Sequence, residues 1–364
     1  MVKKVIISGG GTGGHIYPAI AIANALKAID PTIQILFVGA LGKMEMEKVP
    51  KAGYEIIGLP IAGIKREVSV DNLSFPVKLT RSLLKARSII KSFQPDVAIG
   101  VGGFASGPLL MIASLLGIPT LIQEQNSYAG ITNKLLAKRA KAICVAYPNM
   151  ESFFPKNKLK MTGNPVRSDI LDITNKREQA YAHFGLQPNH KTLLIIGGSL
   201  GAKTINESIE AGLKLLIDSG YQVLWQTGKP YAERAGNVVN ALKSPYIKSF
   251  DFIYEMDLAY ALSDVVVSRA GALSVSELCL VAKPAILVPF PYASEDHQTK
   301  NAMSLVEQSA ALLVKDKDAK EELVQTALRL LQDTDKQTVL SRNIKKLAKP
   351  NAAKEIAETV LGLI

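Results

Sequence analysis

Clusters of glycine beside polar residues are the chemically suggestive feature of this 364-residue chain. Gly9-Gly10-Gly11-Thr12-Gly13-Gly14-His15 and Gly197-Gly198-Ser199-Leu200-Gly201-Ala202 each follow a short apolar run and lead into an amphipathic one. Glycines let the backbone approach a ligand, and the helix behind them offers unpaired N–H groups and a positive dipole end to an anion. Neither loop is a nucleotide P-loop. No Lys-Ser/Thr pair follows Gly14, and Ala202 separates Gly201 from Lys203-Thr204. A dinucleotide fold also places an acidic residue at the end of its second strand, whereas Phe37-Val38-Gly39-Ala40 meets none until Glu45. That pattern argues against hydride transfer.

His15 is one of four histidines and stands where the first loop becomes a helix. The positive helix end favours the neutral imidazole that a general base needs, and the alternative is a residue that caps or packs the helix start. Ser268–Glu277 is another loop-to-helix junction after an apolar strand. Ser274 and Glu277 have the spacing of a capping box. The same junction also suits a diphosphate, with Glu277 accepting hydrogen bonds from a sugar or ribose. After the next apolar run comes a polar cluster, Pro289–Asn301, that includes Gln298. Asp316-Lys-Asp318 and Asp333-Thr-Asp335 lie in polar loops near helix starts, where capping is expected and metal ligation is not. No metal site is expected. Diphosphate charge must then be met by amides, helix dipoles and an arginine, and Arg167, just after Gly163 and Pro165, is placed for that.

Short apolar strands separated by helical segments must position these residues. Strands are expected at Lys4–Ser8, Gln34–Val38, Val97–Val101, Thr120–Ile122, Ala142–Val145, Thr192–Ile196, Gln222–Trp225, Val265–Val267 and Ala285–Val288. Helices are expected at Pro18–Ile29, Pro108–Leu116 and Ile205–Ser219. Such alternation indicates parallel sheets covered on both faces. The opening module of strand, glycine loop and helix recurs roughly 190 residues later, so the reading is α/β, with two tandem Rossmann-like doubly wound domains. Expected boundaries are 1–166, 167–345 and a final helix in 346–364 that packs back on the first domain.

Composition narrows the partners. Apolar residues at 48% and charged ones at 21% exclude disorder. Cys144 and Cys279 have no partner spacing, which excludes a disulfide framework or zinc site and favours a reducing compartment. MVKKVIISGG lacks the apolar core of a signal peptide, so a cytoplasmic protein is expected. Val97 to Gln123 has no charged residue, but its glycines and prolines suit two buried strands and a helix rather than a membrane span. The net charge of +11 is uneven. Residues 1–166 carry 20 basic and 9 acidic side chains, and residues 167–364 carry 23 of each. With aromatics at 6% and no recognition motif, nucleic acid is not the expected partner.

Seven blocks occur in an order that resembles one family: GGGTGGH (9–15), GGFASGP (102–108), QEQNSYAGITN (123–133), TGNPVR (162–167), GGSLGA (197–202), SRAGALSVSE (268–277) and DHQTKNA (296–302). Together they resemble the lipid II-forming bacterial UDP-N-acetylglucosamine transferases of glycosyltransferase family 28, the MurG family. Ala129 departs from the proline common there. The resemblance implies a GT-B architecture with two domains facing across a cleft, and no cofactor or essential metal. It implies inverting transfer of GlcNAc from UDP-GlcNAc to the 4-hydroxyl of the muramyl sugar of lipid I. By matching motif positions, UDP-GlcNAc contacts would be Thr12, Gly13, Gly14, Asn126, Arg167, Ser199, Ile253, Ala272, Leu273, Ser274, Val275, Ser276, Glu277 and Gln298. Of these, Ile253 would meet the uracil through its backbone, Ser199 a phosphate, Glu277 the ribose and Gln298 the GlcNAc. His15 would be the catalytic base. The acceptor diphosphate would lie on Gly13, Gly14, Gly102 and Gly103. Two other readings of the residues stay open: another UDP-GlcNAc enzyme of this architecture, such as an epimerase or a transferase to a different lipid, and a non-catalytic UDP-sugar-binding or membrane scaffold protein.

A lipid acceptor directs attention to Phe75–Phe93. Leu79, Leu83, Ala86, Ile90 and Phe93 form one helical stripe, and Lys78, Arg81 and Lys85 another. This is either an ordinary surface helix or an interfacial contact in which basic residues attract anionic lipid. On the second reading Phe75, Lys78, Leu79, Arg81, Leu83 and Lys85 form a membrane patch. The resemblance then implies a peripheral protein at the cytoplasmic face of the bacterial membrane, with the anionic inner leaflet and cell-wall synthesis proteins as partners.

Overall fold

The computed structural model describes residues 2–61, 75–198 and 200–364. The chain divides into two compact units, Met1–Arg167 with Asn351–Ile364, and Ser168–Pro350.

The first unit begins β1 (Lys4–Ser8), α1 (Gly13–Ile29), β2 (Gln34–Ala40), α2 (Glu45–Lys51), β3 (Glu55–Leu59) and α3 (Phe75–Phe93). It continues β4 (Val97–Gly100), α4 (Ser106–Leu115), β5 (Thr120–Glu124), α5 (Ile131–Leu136), β6 (Ala142–Val145) and β7 (Leu159–Met161). All seven strands are parallel, in the order β3-β2-β1-β4-β5-β6-β7. The order reverses between β1 and β4, which is where open α/β sheets bind ligands. Alternate strand residues feed two cores. Val5, Ile7, Phe37, Val97 and Ile99 pack with α1, and Ile6, Leu36, Val38 and Ala98 pack with α3 and α4. Both faces are therefore apolar, as the unbroken hydrophobic runs of these strands require.

The second unit runs α6 (Arg177–Phe184), β8 (Thr192–Ile196), α7 (Lys203–Asp218), β9 (Gln222–Gln226), α8 (Lys229–Leu242), β10 (Ile247–Phe250) and α9 (Met256–Leu262). It ends with β11 (Val265–Ser268), α10 (Ala272–Val281), β12 (Ala285–Leu287), α11 (His297–Val306), β13 (Leu312–Leu313), α12 (Ala319–Gln332) and α13 (Thr334–Lys345). Its parallel order, β10-β9-β8-β11-β12-β13, repeats the reversal, now between β8 and β11. The last helix, α14 (Ala352–Leu361), returns to the first unit, where Ile356, Ala357 and Val360 join the core around α1.

Two sets of sequence expectations need correction. Helices α1, α4 and α7 start two to five residues earlier than the apolar pattern suggested, because the glycine loops run directly into them. Strands β3, β7, β10 and β13 were not anticipated, and all four are sheet edges. The 97–123 stretch is β4, α4 and β5, and among the described residues no helix is long and apolar enough to cross a membrane.

Candidate active site

In the first unit the two loops flanking the reversal point interlock. Gly10 N–H donates to Gly102 O at 3.3 Å, and Ser106 Oγ lies 2.9 and 2.8 Å from the Ser8 and Gly102 carbonyl oxygens. Thr12 is the N-cap of α1, yet its hydroxyl does not cap. It lies 3.2 Å from His15 Nδ1 instead. The other edge of the imidazole stands over Gly102: a Cβ there would meet Cδ2 at 2.6 Å and Nε2 at 2.8 Å, and φ is +99°. Glycine is thus required at 102 both for its backbone conformation and for the room it gives the ring. His15 is in the first turn of α1, beside the N–H groups of Gly13 and Gly14 that the helix leaves without partners.

Glu45 is the residue that sequence reasoning passed over here. It is fully buried at the start of α2. Oε2 accepts from Gly11 N–H at 2.9 Å and Oε1 from Ala40 N–H at 3.0 Å. A Cβ on either Gly10 or Gly39 would overlap the carboxylate side chain. The first acidic residue after β2 therefore holds the glycine loop from behind. The signal was present as a lone acid behind two close-packed glycine positions. Glu45→Gln turns one acceptor into an NH2 facing an N–H donor and is expected to cost about 1–3 kcal/mol. Thermal unfolding of the variant checks this.

The 123–133 block is organised by another buried carboxylate. Glu124 accepts from Asn126 N–H at 3.1 Å, Gly130 N–H at 3.0 Å and Asn133 Nδ2 at 2.8 Å. Gln123 Nε2 donates to Asn164 Oδ1 at 3.0 Å, and Gln125 Nε2 to Val101 O at 2.7 Å. These buried amides tie the blocks around Asn126, Gly163-Asn164 and Gly102 into one network. Ala129 is buried in the core beside them. Arg167 is half-buried at the end of this unit.

In the second unit the candidate residues again follow the carboxyl ends of strands. Gly201 has φ +74°, and a Cβ there would overlap Thr227 O, so the β8 loop lies directly on the β9 loop. Gln226 bridges further: Nε2 donates to Gly198 O at 3.1 Å, and Oε1 accepts from Ile253 N–H at 3.0 Å. The Ile253 amide is therefore engaged within the protein. Ser199 lies outside the described residues.

The capping-box reading of Ser274 and Glu277 is overturned. The N-cap of α10 is Gly271, which leaves the amides of Leu273 and Ser274 in a first turn without intrahelical partners. Val275 is buried, and Ser276 Oγ donates back to Ala272 O at 3.0 Å. Glu277 Oε2 accepts from Tyr260 OH at 3.1 Å. Gln298 Oε1 accepts from Phe290 N–H at 2.9 Å.

Asp316 is also not a cap. It forms an ion pair with Arg269 and accepts from Thr204 Oγ1 at 3.0 Å. Arg269 donates further to Val288 O at 3.1 Å and Pro289 O at 3.2 Å. This network joins the β11 loop to the first turn of α7. Asp333, by contrast, caps α13 by accepting from Lys336 N–H at 2.8 Å. Burial pushes the Cys144 and Cys279 thiols up to about 12, so neither is a nucleophile at neutral pH. No group of residues able to hold a metal ion occurs among the described residues.

The α3 stripe is partly structural. Ala86 and Ile90 are buried in the core, with Leu79 and Phe93 packed against it. Leu79 is itself half-buried. Phe75, Lys78 and Leu83 are half-buried, Arg81 and Lys85 are exposed, and the outward apolar residues are Val77 and Leu84.

Comparison with known proteins follows this geometry. The glycosyltransferase family 28 N-terminal domain matches residues 5–145, and the family's C-terminal domain matches 192–359. A Cytophaga hutchinsonii protein named UDP-N-acetylglucosamine–N-acetylmuramyl-(pentapeptide) pyrophosphoryl-undecaprenol N-acetylglucosamine transferase is 58% identical over 361 residues, covering 99% of this chain and 97% of that protein. The Parabacteroides distasonis protein of the same name is 53% identical, with 99% and 98% covered. The crystal structure of Acinetobacter baumannii MurG, 30% identical and covering 99% of both chains, superposes with a TM-score of 0.79. A UDP-N-acetylglucosamine 2-epimerase structure at 15% identity and TM-score 0.67 shares the fold alone. Both units carry the GT-B type of parallel sheet, both domains of the family are matched, and identity above one half extends along nearly the whole length: the chain belongs to glycosyltransferase family 28.

Proposed function

We propose that this chain transfers GlcNAc from UDP-GlcNAc to the 4-hydroxyl of the muramyl sugar of lipid I, with inversion, giving lipid II and UDP for peptidoglycan synthesis. The observation that carries the reading is an imidazole seated between Thr12 and Gly102 at the N-terminus of α1, in a chain over half identical to transferases of that name.

With Nδ1–H turned to Thr12 Oγ1, His15 Nε2 keeps its lone pair and takes the proton of the acceptor hydroxyl as that oxygen attacks the anomeric carbon. The bond from that carbon to the β-phosphate oxygen breaks, and its electron pair leaves with UDP. Charge building on the phosphate is met by the first-turn amides of α10, the β8 loop and Arg167. Glu277 turns from Tyr260 to the ribose, and Gln298, with its carbonyl oxygen fixed by Phe290 N–H, offers its NH2 to GlcNAc. Gly13, Gly14, Gly102 and Gly103 meet the acceptor diphosphate. The reaction needs no metal, since helix ends and amides supply the positive potential.

The test is transfer of labelled GlcNAc to a lipid I analogue in the presence of a chelator. UDP-GalNAc serves as control donor, and UDP-GlcNAc without acceptor detects epimerisation. Transfer that survives chelation and requires both substrates is expected. Activity only on another acceptor, or epimerised sugar without acceptor, overturns the reading.

The first unit also suits a peripheral position on the cytoplasmic membrane face. Besides Val77 and Leu84, exposed apolar residues occur on the next two helices, Leu115 on α4 and Ile131 and Leu135 on α5, and each helix packs on the next. Arg81 and Lys85 stand among them, in the half of the chain that carries the excess positive charge. Reversing Lys78, Arg81 and Lys85 to glutamate is expected to reduce co-sedimentation with anionic vesicles at least several-fold while UDP binding stays unchanged. Equal sedimentation of both proteins would remove the membrane reading.

A further inference from the structure

A cavity of about 630 Å³ opens at the amino ends of β11 and β12, at the opposite edge of the second sheet from its glycine loops. Ser263 and Asp264 line it ahead of β11, Lys283 and Pro284 ahead of β12, and Arg342 and Lys345 from the last turn of α13. None of the residues assigned to sugar-nucleotide or acceptor contacts lines it.

The charge of this cavity is one-sided. Asp264 is its only acid among the lining residues, and it is already engaged. Arg177 Nη2 donates to its two oxygens at 2.9 and 3.2 Å, and Thr192 N–H donates at 2.7 Å. The neutral donors are engaged as well. Gln337 Nε2 donates to the Leu330 and Leu331 carbonyls, Thr338 Oγ1 to Thr334 O, and Ser341 Oγ to Ala282 O. What remains to offer a ligand is positive charge on Lys283, Arg342 and Lys345, so the lining selects an anion over a neutral sugar.

Lys283 is the most constrained of the three. It donates to Ser263 O at 2.7 Å, and its burial, reinforced by the Arg177 guanidinium and opposed by Asp264, pushes its ammonium down to about 8. A buried ammonium with so little compensation carries a desolvation cost, which an anion beside it offsets. A guanidinium and two ammonium groups together suit a tetrahedral dianion.

We propose that this cavity is a binding site for a small phosphate-class anion, held by Lys283, Arg342 and Lys345 and separate from the UDP-GlcNAc contacts. It does not depend on the transfer reaction. Because the anion strengthens proton binding at Lys283, binding takes up a proton, and affinity falls as pH rises through the free-state value. Arg177, Asp264, Arg342 and Lys345 are the other charged groups around Lys283.

The probe is inorganic phosphate, titrated calorimetrically into the full chain already saturated with UDP, so that donor-site phosphate contacts are filled. Saturable binding is expected in the unaltered protein, at least tenfold weaker in Lys283→Met and several-fold weaker in Arg342→Gln, with UDP affinity unchanged in all three. Between about pH 7.5 and 9 the affinity of the unaltered protein should fall, whereas Lys283→Arg should bind with a flatter dependence. Lys283→Met removes a buried charge and is expected to fold at least as well, with its UDP affinity as the control. A parallel arm uses phosphatidylglycerol vesicles, and sedimentation insensitive to Lys283→Met assigns the site to soluble phosphates. Phosphate binding that is absent, or equal in the unaltered protein and Lys283→Met, overturns the proposal. So does vesicle binding that depends on Lys283 without any soluble-phosphate binding.

Discussion

His15→Ala is expected to lower turnover by about 10²–10⁴-fold, the range for loss of a positioned general base, while UDP-GlcNAc affinity stays within a few-fold. The separation follows from the fold. His15 belongs to the first unit, whereas the β8 loop, the start of α10 and Gln298 belong to the second. Alanine is a good helix former and leaves the Gly10–Gly102 backbone contact in place, so the loss is chemical rather than structural. Gly102→Ala is the companion experiment. It keeps the imidazole but pushes a methyl group against the ring edge at 2.6–2.8 Å in a backbone conformation that alanine resists. If position and not mere presence of His15 matters, this variant loses turnover too. Single-turnover transfer and calorimetric UDP-GlcNAc binding measure both. Near-normal turnover in His15→Ala would exclude the base role.

The largest stability loss is expected from Asp316→Ala. The Asp316 side chain is 16% exposed and that of Arg269 11%, and removing one partner of a buried pair typically costs about 3–5 kcal/mol. For a unit of this size that corresponds to a melting temperature roughly 10 °C lower. The loss also has a functional side, because Arg269 follows β11 and Thr204 lies in the first turn of α7, and Asp316 is what joins them. UDP affinity should fall together with stability, whereas Asp316→Asn keeps the Thr204 acceptor and should fall between. Differential scanning and UDP titration decide. A melting temperature unchanged by Asp316→Ala would show that the pair does not hold the two loops.

How much of this was legible in the sequence depends on which part of a sheet a residue occupies. All nine anticipated strands are interior strands, with apolar centres buried on both faces and polar residues confined to the strand ends. The four missed are the two edges of each sheet. Glu55 in β3, Lys160 in β7 and Lys248 in β10 break the apolar run because an edge strand meets water, and β13 is only two residues long. At the site, glycine spacing was legible because a close approach leaves a local mark. The Arg269–Asp316 pair spans 47 residues and Glu45 reaches back 34 to Gly11, so no local pattern announces either. Local capping was the reading for both Asp316 and Glu277 for the same reason: the nearest helix start is visible in the sequence, and the distant partner, Arg269 or Tyr260, is not.

The return of α14 to the first unit has a consequence for how the chain comes into being. The core around α1 includes Ile356, Ala357 and Val360, which leave the ribosome after the whole of residues 168–350, whereas Ile16, Ile22 and Leu26 leave it before them. Throughout synthesis of residues 168–350 the earlier unit has all seven of its strands but lacks the helix that completes the core around α1, whereas the later unit is complete once residue 350 is made. The domain encoded second can therefore mature first, reversing the usual vectorial order. A premature stop just before α14 would damage the unit that was translated before residue 168.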